Sequence, residues 1–85
     1  MPTEGLVQIN LRPNPATIEL VGSVFGLRSS NYSVEVYDLQ GRQKSVEVAV
    51  YDDHFLIRVS SLTQGIYILR INSGQRTYFK RFVKT

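Results

Sequence analysis

Apolar and polar residues alternate with a period of two along most of this chain, the pattern of half-buried β-strands. In residues 6–11, Val7, Ile9 and Leu11 fall on one face and Gln8 and Asn10 on the other. Residues 17–21 set Ile18 and Leu20 against Thr17, Glu19 and Val21, and residues 32–37 turn Val34 and Val36 inward with Ser33 and Glu35 outward. Residues 44–51 alternate Val46, Val48 and Val50 with Ser45, Glu47 and Ala49. Residues 54–59 set Phe55, Ile57 and Val59 against His54, Leu56 and Arg58. Last come Ile66, Ile68 and Arg70 against Tyr67, Leu69 and Ile71, a break at Ser73-Gly74, and a run ending in Lys80-Arg81-Phe82-Val83-Lys84. These two runs around a short glycine-containing break read as a hairpin.

Turn chemistry separates the runs. Arg12-Pro13-Asn14-Pro15-Ala16 removes two backbone donors and fixes two φ angles, a rigid corner in which the Asn side chain can bond nearby backbone. Residues 22–31, rich in Gly and Ser, read as a surface loop, with Val24, Phe25 and Leu27 folding back onto the end of the domain. Asp38-Leu39-Gln40-Gly41-Arg42 fits a type I turn with a G1 bulge, Gly41 taking the left-handed position. Asp52-Asp53 turns the chain again, and Leu62, between polar flanks, plugs the core in the connection to Gly65. Seven strand candidates spaced by about 8–12 residues, with no helical period, predict an all-β antiparallel β-sandwich of about seven strands.

Eighty-five residues make one domain with a single core and no room for a deep catalytic cleft. Residues 1–5 read as a linker remnant or an artificial start, and residues 6–85 as the domain. Cysteine is absent, which removes disulfides and zinc-thiolate sites without fixing the compartment. No apolar run approaches the roughly 18 residues of a membrane span, and the N-terminus lacks a basic segment followed by an apolar block. The net charge of +3 is unevenly spread. Residues 1–53 hold four bases and seven acids (−3), residues 54–85 six bases and no acid (+6). Two readings stand for the basic end: a face for an anionic partner, or solvated edge-strand charges that prevent aggregation.

Little in the chain points to chemistry. His54 is the single histidine, with no cysteine, no nucleophile motif and no second histidine to share a metal, so it reads as an exposed turn residue. Asp52-Asp53 lacks the spaced oxygen ligands of a calcium loop, and most of the acids alternate toward water rather than facing one another across a cleft. The expectation is no enzyme, no catalytic residue, no metal and no cofactor. Tyr78, Phe79 and Phe82 on a basic ribbon resemble a stacking platform for single-stranded nucleic acid, but so small a sandwich needs its aromatics in the core. No nucleic-acid partner is expected.

Four landmarks occur in order: Arg12-Pro13-Asn14-Pro15-Ala16, the strand VEVYDLQGR ending at Gly41-Arg42, VSSLTQGIYILRI from Val59 to Ile71, and Lys80-Arg81-Phe82-Val83-Lys84 at the end. Together, over about residues 9–84, they resemble the type A C-terminal sorting domain of type IX secretion cargo proteins. The resemblance implies an immunoglobulin-like sandwich and an export function in a Gram-negative bacterium. A cargo domain N-terminal to it in the parent protein passes through the periplasm. The outer-membrane type IX machinery then recognises the terminal domain, and a sortase-like surface peptidase removes it, leaving the cargo at the cell surface or secreted. Carried over by position, the motif landmarks are Pro13, Asn14, Pro15, Gly41, Leu62, Gly65 and Tyr67. The translocon would read Lys80, Arg81, Phe82, Val83 and Lys84. Thr85 departs from the pattern by following the final lysine. On a strand Lys80 and Lys84 share a face about 13 Å apart, with Phe82 between them. Two other readings stay open: a carbohydrate-binding or adhesive β-sandwich, although the chain has no Trp, and self-association through an exposed edge strand.

Overall fold

The computed structural model describes residues 7–26, 31–74 and 76–85. The described residues form β1 (Gln8–Arg12), β2 (Glu19–Phe25), β3 (Tyr32–Asp38), β4 (Gln43–Lys44), β5 (Glu47–Val50), β6 (His54–Arg58), β7 (Gly65–Ser73) and β8 (Arg76–Lys84). They make two four-stranded antiparallel sheets, in the orders β1-β2-β6-β5 and β4-β3-β7-β8. Lettered in chain order as A, B, C, C′, D, E, F and G, the sheets read A-B-E-D and C′-C-F-G, the immunoglobulin arrangement with a C′ strand. The predicted linker at residues 1–5 and the predicted inward fold of Leu27 lie outside the described residues.

The core lies between the inner faces. One sheet supplies Ile9, Leu20, Val24, Phe55 and Ile57, and the other Tyr32, Val34, Val36, Tyr67, Leu69, Ile71 and Phe82. In β7 the buried set is therefore Tyr67, Leu69 and Ile71, while Ile68 and Arg70 face outward and half-buried. Leu62 is buried as expected and caps the core between β6 and β7. The Tyr67 ring is buried and its hydroxyl donates to the Thr63 carbonyl at 2.6 Å. This is the tyrosine corner of immunoglobulin-like strands F, in which an aromatic enters the core while its polar end closes the preceding loop. The Tyr32 hydroxyl lies 2.7 Å from the Tyr51 carbonyl and 2.8 Å from that of His54, fastening β3 to the opposite sheet.

Three expectations change. The alternating run 44–51 is two strands: Gln43–Lys44 pairs with β3, and Glu47–Val50 pairs with β6 in the other sheet. The alternation continues unbroken while the chain changes sheets, which raises the count from seven to eight and leaves Val50 exposed. The loop expected from Gly22 begins only after Phe25, because β2 runs on through Gly22 and Ser23 in register with Phe55 and His54. A Cβ on Gly22 would lie 2.0–2.5 Å from the Phe55 ring, so glycine here makes room for a fully buried aromatic. Val24 then enters the core, but Phe25 stays exposed rather than folding back. Ile18 is also exposed, since β2 starts only at Glu19, and Leu20 pairs with Ile57 of the neighbouring strand on the inner face of the same sheet.

Candidate functional site: the proline corner and the terminal strand

The first and last landmarks of the sequence meet in space. The corner after β1 carries cis peptide bonds at Arg12-Pro13 and Asn14-Pro15. It brings Asn14, Ala16 and Thr17 against the end of β8, an edge strand that among the described residues has β7 as its only strand partner. There Ala16 forms a parallel bridge with Lys84. The Ala16 amide donates to the Val83 carbonyl at 2.8 Å, and the Thr85 amide donates to the Ala16 carbonyl at 2.9 Å. The Asn14 side chain does not bond its own corner as expected. Its Oδ1 accepts from the Val83 amide at 3.1 Å, 69 residues along the chain. The hydroxyls of Thr17 and Thr85, 2.9 Å apart, complete the contact. Ala16 is fully buried, so any larger side chain there would push the tail away from the sandwich.

The five tail residues divide by face. Phe82 points inward, fully buried and stacked on the Tyr67 ring at 5.7 Å between centroids. Lys84 shares that inner face and is 8% exposed, with its ammonium donating to the Thr85 carbonyl at 3.1 Å. Lys80 and Lys84 do share a face, but it is the face that turns toward the core, and of the two only Lys80, at its margin, is exposed. Arg81 and Val83 lie on the outer face, opposite Ile68 and Ile66 of β7. Phe82 and Lys84 therefore hold the tail while Lys80, Arg81 and Val83 are presented.

The remaining landmarks surround this unit. Gly65 pairs with Lys84 at the start of β7, and the space where its side chain would stand is open, so packing does not demand glycine there. Gly41 has φ of +86° in the predicted turn, with its amide bonded to the Asp38 carbonyl at 3.0 Å and the Asp38 amide to the Arg42 carbonyl at 2.9 Å. The Asp38 carboxylate accepts from the amides of Gln40 and Arg42 and pairs with the Arg42 guanidinium at 3.0 Å. The hydrogen bond from the Arg42 amide, helped by its guanidinium, holds the Asp38 carboxyl below the usual carboxylate value. Pro13, Asn14 and Pro15 are exposed on the corner itself.

His54 opens β6 half-buried rather than lying in an exposed turn. It stacks on Tyr51 at 4.6 Å and hydrogen-bonds Asp53 at 2.8 Å. That bond holds the Asp53 carboxyl below its usual value. Among the described residues no cluster of three or more metal-ligating side chains forms, and no helix is long and apolar enough to cross a membrane.

The family model described as the secretion system C-terminal sorting domain matches residues 2–85. The chain belongs to this family. It is a C-terminal sorting signal of type IX secretion on a β-sandwich. No curated protein matches the chain. A sorting domain is not itself catalytic; it is part of a cargo protein, and its signal implies export across the outer membrane to the cell surface or beyond.

Sequence reasoning missed Ala16, Thr17 and Thr85 as members of the site. By sequence Ala16 only closes a local corner, and Thr85 lies beyond the final lysine of the family pattern. Two threonines and an alanine carry no pattern that signals a contact across the length of the domain.

Proposed function

We propose that the sorting domain is read by the outer-membrane type IX machinery through the terminal segment Lys80, Arg81, Phe82, Val83 and Lys84, held ready by the Pro13-Asn14-Pro15 corner. The observation that carries this reading is the bonding of the corner to Val83 and Thr85 through three backbone amides. A terminal segment left to fray would lose conformational entropy on meeting a receptor, whereas a segment already fixed has met that cost in folding. Lys80 and Arg81 are the exposed cations of the tail and suit an acidic receptor surface. In this account a cargo domain precedes residue 6 in the parent protein and crosses the periplasm with the sorting domain folded. A sortase-like peptidase then cuts at or before β1, where the chain enters the sandwich. Gly41, Leu62, Gly65 and Tyr67 serve the fold that displays the tail. The test is export of the parent protein lacking residues 83–85 from a type IX-secreting bacterium. Loss of export with an intact sandwich supports the reading, and normal export overturns it.

A further inference from the structure

The corner covers only the last part of the β8 edge. β8 pairs with β7 in unbroken register from Gly65↔Lys84 to Ser73↔Arg76. The backbone amide and carbonyl of Val83 point away from β7, toward Asn14 and Ala16. In an antiparallel ladder this direction alternates, so Arg81, Phe79 and Thr77 also turn their amides and carbonyls outward. Among the described residues nothing pairs with them. Nearby side chains add an apolar surface: Phe79 is 63% exposed and lines an outer-face groove of about 290 Å³ with Tyr37, Leu39, Ile68 and Arg70.

Charge selects the occupant. Arg70 is already engaged, 3.6 Å from the Glu35 carboxylate and over the Tyr37 ring, and Lys84 is buried. Arg76, Lys80 and Arg81 are exposed, and among the described residues none has an acidic partner. A lipid headgroup or a polysaccharide could meet the charges, but the outward amides and carbonyls recur at the spacing of a β-ladder, which an extended polypeptide strand matches. A second copy of β8 would bring the same three cations and no acid, and like charges across a strand pair are destabilising. The edge is thus guarded against its own kind.

We propose that the open edge of β8, at Thr77, Phe79 and Arg81, accepts an extended acidic polypeptide segment of the export machinery as an added strand, with an apolar side chain covering Phe79. This inference rests on the sorting reading and adds a mode of contact to it. Thr77→Pro removes one outward amide at an edge position where proline is sterically tolerated. Thr77→Val loses the same side-chain bond to Asn72 (3.0 Å) but keeps the amide. The experiment measures export of the parent protein carrying Thr77→Pro, Thr77→Val, Arg81→Glu, Arg81→Gln or the deletion of residues 83–85, with the melting temperature of each domain in parallel. Export of Thr77→Pro is expected about tenfold below that of Thr77→Val, the effect of one lost ladder bond in a desolvated contact. Arg81→Glu is expected below Arg81→Gln. If Thr77→Pro matches Thr77→Val while the deletion blocks export, the added strand is overturned and the sorting reading stands. If the deletion is also exported, both fall. Should Thr77→Pro fail to fold, the Arg81 pair decides alone, equal export overturning the proposal.

Discussion

Replacing Asn14 by Ala removes the acceptor that the corner offers to the Val83 amide at 3.1 Å. The site is exposed, so water can take the amide, and the expected loss is the net value of one hydrogen bond, about 1 kcal/mol, rather than the larger cost of a buried orphan. Because the residues affected lie at the end of an edge strand, the loss falls on local opening of the tail, and 1 kcal/mol there is about fivefold in the opening equilibrium. Amide hydrogen exchange on the 85-residue chain reads this directly. The reporter is Thr85, whose amide bonds the Ala16 carbonyl at 2.9 Å and does not touch Asn14. Its exchange should quicken about fivefold in Asn14→Ala, while Leu69 and Ile71 in the centre of β7 keep their protection. Asn14→Asp retains the acceptor oxygen and should stay near the parent rate. Unchanged Thr85 exchange in Asn14→Ala, or equal loss in Asn14→Asp, would refute the corner as a clamp.

Gly22→Ala should destabilise the domain by about 1–3 kcal/mol by overpacking against Phe55, and Phe55→Leu in the same chain should recover part of the loss, as read by urea denaturation. Tyr67→Phe deletes the hydroxyl that closes the Thr63 loop and should cost about 1–2 kcal/mol in the same assay. Phe82→Ala should cost about 3–5 kcal/mol, enough to compromise a domain this small, so a residue 82 substitution reports folding before recognition. Asp38 titrates below its ordinary value in the folded chain, so the stability it contributes is present above the ordinary Asp value and disappears as pH falls through the lowered one. Melting temperatures of Asp38→Asn should accordingly lose that part of the acid dependence.

Strand positions and their buried faces were legible because most strands have one wet side, and Val34 and Val36 or Phe55 and Ile57 declare it by simple alternation. Alternation does not say which sheet a strand joins, and so residues 44–51 concealed a change of sheet around Ser45 and Val46. Gly22-Ser23 resembled a loop by composition, since the reason for that glycine, the Phe55 ring, comes from another strand. Local pattern likewise placed both ends of the candidate site but not their union. By sequence Asn14 can bond its neighbours, and Lys80 and Lys84 share one face with Phe82 between them. The register of β8 instead turns Phe82 and Lys84 inward, and the corner reaches across the domain to Val83.

In the proposed function the export machinery reads the clamped terminal segment. Export of the parent protein with and without residues 83–85, each sample checked by thermal melting for a folded sandwich, tests it most directly. The shortened protein is expected to fold and to be retained inside the outer membrane. Its arrival at the cell surface or in the medium at the full-length level would show that the machinery reads some other part of the domain.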